Sequence, residues 1–304
     1  MSSPRPDRIA PDWIALDWGS TNLRAHAMHG TTILAEAKGP GAASLTGGDA
    51  FEAALLAAIG GWLGDAAMPM LACGMVGSRQ GWIEAPYLVT PSAPLDPAAM
   101  VRAPAGDPRI DLRILPGMRQ AKPADVMRGE ETQIAGLLAL HPDFDGVAAL
   151  PGTHNKWARI SAGEVVGFQT AMTGELFQLL STQSVLRHGM GDGWDDAAFE
   201  AGVEEGRRDA DRLMARLFTL RAEGLAGELA PDAARSRLSG LLIGAELAAM
   251  RGWWLGQEVA LIGAPALTRT YATALALQGN TARQHDGGAM SLAGLAKARA
   301  EVTA

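Results

Sequence analysis

Residues 13–28 read WIALDWGSTNLRAHAM: an apolar run, a short polar turn and a second run. Ile14 and Leu16 are strand formers, Asp17 closes the first run, and Gly19 with Asn22 supplies residues that tolerate the positive φ of a tight hairpin turn. A carboxylate at a strand end followed by Gly19, Ser20, Thr21 and Asn22 gathers N–H groups and hydroxyls able to hold phosphate oxygens. Asp17 is then placed to order Mg²⁺ or its water. An ordinary β-hairpin would use the same glycine and asparagine, so the rest of the chain decides between the two readings.

Working outward, Ile33 to Ala37 reads as a third strand, which makes the opening a three-stranded antiparallel meander. A helix is expected from Asp49 as N-cap, with Phe51, Leu55, Ile59 and Trp62 on one face. Met70 to Cys73 reads as a short buried strand emptying into the glycine-rich GMVGSRQGWIEAPY, residues 74–87. Residues 91–109 hold five prolines and little periodicity, which predicts irregular connection, and Leu112 to Leu115 could be a strand. Pro116, Gly117 and Pro123 break the chain and mark the expected domain boundary, giving domains 1–120 and 121–304.

The second half repeats this order. VMRGEETQIAGLLAL predicts a helix to Leu140 with Glu130 and Glu131 in its first turn, where the helix dipole favours acids. Val147 to Leu150 is a strand, Pro151, Gly152 and Thr153 turn the chain into Lys156 to Ile160, and Gly163 turns it again into Val165 to Met172. Helices are expected over 174–188, near 195–220, over 232–251, over 267–277 and near 289–299, with a strand at 259–262. Strand, polar glycine turn, strand, turn, strand is thus met twice, which points to duplication. Two such turns facing one another across a cleft would suit phosphoryl transfer, which asks a protein mainly for positioning and charge stabilisation.

Composition bounds the alternatives. The 304 residues are 48% hydrophobic and 19% charged, enough for two cores. The opening MSSPRPDR lacks an apolar core and reads as a loose tail, and no run reaches about 18 apolar residues, since even 238–250 contains Glu246. A cytoplasmic protein with no membrane partner is the expectation. The single cysteine, Cys73, agrees with a reducing compartment. A net charge of −7 without a basic stripe argues against nucleic acid, and the six histidines show no metal-ligand spacing. There is no P-loop and no GxSxG elbow.

LDWGSTNLR at 16–24, LPGTHNKWARI at 150–160 and LIGAPALT at 261–268 resemble the two phosphate motifs and the adenosine motif of the actin, sugar kinase and Hsp70 superfamily. GMVGSRQGWIEAPY, RGEETQIAGLL, PGTHNKW and TAMTGELFQLL, in this order, are similar to the 2-dehydro-3-deoxygalactonokinase family. The resemblance implies an α/β chain of two ribonuclease H-like domains, the actin-like ATPase fold, with a central cleft. It also implies ATP- and Mg²⁺-dependent phosphorylation of a six-carbon acid sugar at its terminal hydroxyl, in the De Ley–Doudoroff route of galactose breakdown.

Carried over by position, Asp17 would organise Mg²⁺ and its water, Gly19, Ser20 and Thr21 would form the first phosphate turn, and Gly152 and Thr153 the second. Gly263 matches the first glycine of the adenosine motif, while Ala264 stands at the second. Glu130, following Gly129, inherits the place of the catalytic base, with Glu131 as the alternative. Asn22, Arg24, Ser78, Arg79 and Trp82 are the expected acid-sugar contacts; Arg79 is first choice for the substrate carboxylate, with Arg24 and Arg128 as alternatives. Against these stand plainer roles: Glu130 and Glu131 as first-turn acids, Trp82 and Tyr87 as core aromatics, His154 and Lys156 as surface strand residues, Thr173 as an N-cap. Two other functions share such residues. One is a phosphohydrolase of the exopolyphosphatase type; the other is a sugar-sensing binding protein, for which residues 1–12 leave too little chain for a DNA-binding module.

Overall fold

The computed structural model describes residues 10–303, so the expected loose tail at MSSPRPDR lies outside the described residues. Trp13–Trp18 (β1), Asn22–His29 (β2) and Thr32–Pro40 (β3) form the antiparallel meander. Beyond the helix Gly48–Ile59 (α1), Met68–Gly74 (β4) lies parallel to β1 on the side opposite β2. β1 is therefore an interior strand, which is why it is apolar at nearly every position and does not alternate. Tyr87–Val89 (β5), Val101–Arg102 (β6) and Ile110–Ile114 (β7) follow, and the first sheet has the order β3-β2-β1-β4-β7-β6. Its core packs Trp18 against Phe51 and Trp82, with ring centroids 5.3 and 6.4 Å from the Trp18 ring.

Gly117–Gln120 (β8) and Asp125–Met127 (β9) pair as an antiparallel hairpin and join β5 in a small sheet. Glu130–Leu140 (α2) comes next. The second large sheet uses Gly146–Leu150 (β10), Asn155–Ser161 (β11) and Glu164–Ala171 (β12). Helices Thr173–Thr182 (α3), Asp196–Arg208 (α4), Leu213–Ala226 (α5), Pro231–Ala249 (α6) and Arg251–Trp254 (α7) precede Val259–Gly263 (β13). Pro265–Ala276 (α8), Arg283–Asp286 (β14) and Gly287–Thr303 (α9) end the chain. The order β12-β11-β10-β13-β14 matches β3-β2-β1-β4-β7 place for place, with β10 antiparallel to β11 and parallel to β13 as β1 is to β2 and β4. Two ribonuclease H-like sheets of this order make the actin-like ATPase fold.

The chain forms two compact units that divide it elsewhere than at 120/121. One takes the chain up to Phe144, Ala162–Gly167 and everything from Gly287 onward; the other takes Asp145–Ser161 and Phe168–Asp286. The reason is helix packing: α9 returns to lie along α2, and Gly136 and Gly294 leave room for the contact. A methyl on Gly136 would strike the Met290 carbonyl, and one on Gly294 the Thr132 carbonyl. Pro116 to Pro123, expected as a boundary, is instead the approach to and turn of the β8–β9 hairpin, closed by Gln120 Nε2 on the Pro123 carbonyl at 2.9 Å.

Other expectations shift at element ends. The N-cap of α1 is Gly47 rather than Asp49, which sits in the first turn. The helix expected over 174–188 ends at Thr182 and resumes as a 3₁₀ turn, Val185–Gly189, because the Ser184 hydroxyl donates to the Leu180 carbonyl and accepts from Leu186 N–H. The one expected near 195–220 is two helices, α4 and α5, parted at Asp209. Residues 91–109 are not wholly irregular, since β6 pairs there with β7.

Candidate active site

In the first unit, strand register builds the site around Asp17. Asp17 pairs with Arg24 across β1–β2 and with Cys73 across β1–β4, so the guanidinium stands on one side and a buried thiol on the other. Arg24 Nη1 is 3.7 Å from Asp17 Oδ2, and the carboxylate side chain is 22% exposed. Burial raises the Asp17 carboxyl above its ordinary pKa, against the opposing pull of Arg24, a hydrogen bond from Ser291 on α9, and His26. Cys73 is fully buried, and burial with the charges of Asp17 and Glu131 pushes its thiol well up, so it stays protonated and inert.

The turn after β1 points its donors one way. Gly41, Ala42 and Ala43 donate their N–H groups to the carbonyls of Thr21, Gly19 and Ser20 at 3.0–3.1 Å. In a trans peptide the N–H opposes the preceding carbonyl, so the amides of Ser20, Thr21 and Asn22 face away from that segment as a row of donors. Ser20, Thr21 and Asn22 are themselves exposed. Such a row of N–H groups is of the kind that can receive an anion.

The start of α2 is brought to the same strand ends. Gly129, the N-cap, has φ +110°, and its Cα side faces Gly74 at the end of β4, which pairs with Trp18 at the end of β1. A side chain at 129 would be strained, so the glycine before Glu130 is set by backbone geometry. The two glutamates then part. Glu131 is 1% exposed and both its oxygens accept from Gly129 N–H, at 2.8 and 2.7 Å, with the Thr132 hydroxyl at 3.3 Å. Burial, and next the charge of Glu130, push it up to about 7. Glu130 is half-buried and accepts from Arg128 N–H at 3.0 Å. Glu131 caps the helix, and Glu130 is the more accessible of the two carboxylates.

The GMVGSRQGW loop places its residues unequally. Arg79 is 81% exposed with Glu84 3.8 Å from Nε, a surface pair worth little. Ser78 is buried, and so is the Trp82 ring, stacked on Phe51 and edge-on to Trp18. Arg128 holds the loop: Nη2 donates to the Ala85 carbonyl at 2.8 Å and the guanidinium lies 4.2 Å over the Tyr87 ring. Its other two nitrogens, Nε and Nη1, are buried without a hydrogen-bond partner.

In the second unit, the β10–β11 turn is held by two neighbours. Asn155 Oδ1 accepts from Gly152 N–H at 2.7 Å, and Glu175 N–H from α3 donates to the Thr153 carbonyl at 2.9 Å. His154 lies 2.7 Å from the Glu175 carboxylate. Lys156 is not a surface residue: it is buried and donates to the Thr170 hydroxyl at 2.8 Å. Thr173 is the first residue of α3, whose N-cap is Met172. Beside the turn opens a pocket of about 220 Å³, lined among others by Gly152, Phe177, Trp194, Arg235, Leu267 and Tyr271. Gly263 ends β13, where a methyl would come within 3.1 Å of the Pro151 carbonyl, and Ala264 is the N-cap of α8.

Sequence reasoning did not find Ser291 or Asn155. Ser291 reaches Asp17 from a helix of small residues whose only local signal is that smallness. Asn155 stood in a quoted motif, and a side-chain amide two residues past a turn threonine was the available clue. Among the described residues no group of three or more His, Cys, Asp or Glu could hold a metal, and no helix is long and apolar enough to cross a membrane.

The chain is similar over most of its length to known proteins. A protein of Rhizobium meliloti (strain 1021) carrying the name 2-dehydro-3-deoxygalactonokinase is 37% identical over 297 residues, covering 94% of this chain and 96% of its own. The 2-dehydro-3-deoxygalactonokinase of Escherichia coli (strain K12) is 35% identical over 271 residues, 88% of this chain and 90% of its own. The crystal structure of a Sinorhizobium meliloti protein described under the same name superposes with TM-score 0.85 at 36% identity, covering 95% of this chain and 96% of that one. The 2-keto-3-deoxy-galactonokinase family profile matches residues 17–298, so that profile and relatives of this identity and coverage together place the chain: it belongs to the 2-keto-3-deoxy-galactonokinase family.

Proposed function

We propose that this chain transfers the terminal phosphoryl group of ATP to the 6-hydroxyl of 2-dehydro-3-deoxy-D-galactonate, a step of galactonate catabolism. The observation that carries the reading is the joint placement, in one unit, of the donor row after β1, Asp17 at the end of that strand, and Glu130 at the N-terminus of α2. The names of the relatives supply the substrate.

Each residue then has a task. The amides of Ser20, Thr21 and Asn22 bind phosphate oxygens. Asp17 stands without the other carboxylates that an all-protein metal cage would need, and its one partly exposed carboxylate fits Mg²⁺, which keeps most of its own water shell. When bound there, the ion supplies neutralisation of charge on the phosphates. Glu130 orients the terminal hydroxyl and accepts its proton late in a loose transfer. In the second unit, Gly152 and Thr153 form the second phosphate turn. The adjoining pocket, where Arg235 lies 5.1 Å over the Phe177 ring, takes the nucleoside.

The acid sugar brings a carboxylate to a protein of net charge −7, so a local cation is required. Arg24 is turned to Asp17 and Arg79 is held only by a long surface pair, while Arg128 keeps Nε and Nη1 without hydrogen-bond partners; Arg79 is the first choice and Arg128 the alternative. Arg79→Ala is expected to raise KM for the acid sugar by about 10-fold or more, with KM for ATP little changed. Steady-state kinetics with each substrate varied in turn checks this; equal rises in both constants would move the carboxylate site elsewhere.

A further inference from the structure

In the sequence Glu246 only interrupts an apolar run. In the structure it lies on α6, 5% exposed, and its carboxylate is ringed by donors. Trp157 Nε1 donates to Oε1 at 2.7 Å; the Tyr271 hydroxyl and Asn155 Nδ2 donate to Oε2 at 2.7 and 2.8 Å. Asn155, Trp157 and Tyr271 are themselves buried. Asn155 Nδ2 also contacts the Tyr271 oxygen, and Tyr271 is hydrogen-bonded to Thr173 at the start of α3. Burial and the Glu246 charge keep the tyrosine hydroxyl protonated, hence a donor.

The amide of Asn155 has a donor end and an acceptor end. A carboxylate only accepts, so Glu246 takes the Nδ2 end and turns Oδ1 toward Gly152 N–H, which it meets at 2.7 Å. With the amide reversed, two donors would face each other at Gly152 and two acceptors at Glu246. We infer that Glu246 is a positioning residue: by fixing the orientation of the Asn155 amide it holds the Gly152–Thr153 turn in the form that receives nucleotide phosphate. The inference rests on the reading of that turn as the second phosphate site.

Glutamine cannot replace the carboxylate. If its oxygen serves Asn155 and Tyr271, its amide N–H₂ faces the Trp157 N–H; turned over, it faces the Asn155 donor. Glu246→Gln is expected to raise KM for ATP about 10-fold or more, while KM for the acid sugar stays within about twofold, at a temperature where a melting curve shows the variant folded. Exchanging both groups, Asn155→Asp with Glu246→Gln, restores every donor to an acceptor and is expected to return KM for ATP to within about threefold of the parent. A merely structural Glu246 would lower the melting temperature and leave the two KM values in their parental ratio, which would overturn the inference. So would a double variant no better than the single one. If Glu246→Gln does not fold, the double variant alone decides by the same KM for ATP. Gly152→Ala separates the two readings, because its methyl meets no atom within 4 Å and can be felt only by a ligand. An unchanged KM for ATP there would remove the phosphate-turn reading, and the inference with it; a raised one beside an indifferent Glu246→Gln would remove the inference alone.

Discussion

Asp17→Asn is expected to abolish turnover, a fall in kcat on the order of 10³ or more, while the protein melts no lower than the parent. An amide of the same shape cannot order Mg²⁺ and its water as a carboxylate does. Stability should hold because the carboxylate is desolvated by its position between β2 and β4, and its nearest cation, Arg24, is 3.7 Å away and about half exposed. Removing the charge removes a burial cost along with a weak pair. Nucleotide binding, measured by calorimetry, should survive. Near-parental turnover at saturating Mg²⁺ would contradict the assignment of the first hairpin.

The second large effect belongs to the base. Successive helical residues point about 100° apart, so Glu130 and Glu131 cannot both face one hydroxyl. Glu131 is occupied with Gly129 N–H and closed to solvent, whereas Glu130 is half-buried. Glu130→Gln should lower kcat by about 10² to 10⁴ with little change in either KM, and Glu131→Gln should cost far less. The reverse ranking would pass the role to Glu131. Glu131→Gln should instead show itself in stability against pH. Its carboxyl holds a proton more tightly folded, near pH 7, than at its ordinary value of 4.5. That contribution is complete below about 4.5 and is lost as pH rises through about 7. The parent should lose roughly 3 kcal/mol across that span. In Glu131→Gln the slope should be flatter, as urea unfolding at several pH values would measure.

What was legible in the sequence follows period and turn chemistry. Both hairpins, both central strands and the first-turn acids of α2 were readable because strand, glycine turn and strand are local patterns. The division into units was not, because α9 joins the first unit through Gly136 and Gly294, contacts between residues more than 150 positions apart that leave no local mark. The breaks at Gln183 and Asp209 were missed for a related reason: the periodic face continues through them, and side-chain bonds such as that of Ser184 decide where the helix stops. In the site, residues on turns were legible and their supports were not. Asp17, Ser20 and Glu130 stand in recognisable strings, whereas Ser291 and Glu246 act from helices whose patterns are dominated by packing. Trp82 shows the converse, since its place in a glycine-rich loop suggested a platform and the structure buries the ring, stacked on Phe51 and edge-on to Trp18.

The central claim, that phosphoryl transfer goes to an acid sugar and not to water, is tested most directly by incubating the protein with ATP and Mg²⁺, with and without 2-dehydro-3-deoxy-D-galactonate, and following ADP and phosphorus NMR. ADP should form in step with a phosphate ester on the sixth carbon and should nearly cease when the acid sugar is left out. Release of inorganic phosphate from ATP or polyphosphate at the same rate without the acid sugar would contradict the account and make the chain a phosphohydrolase.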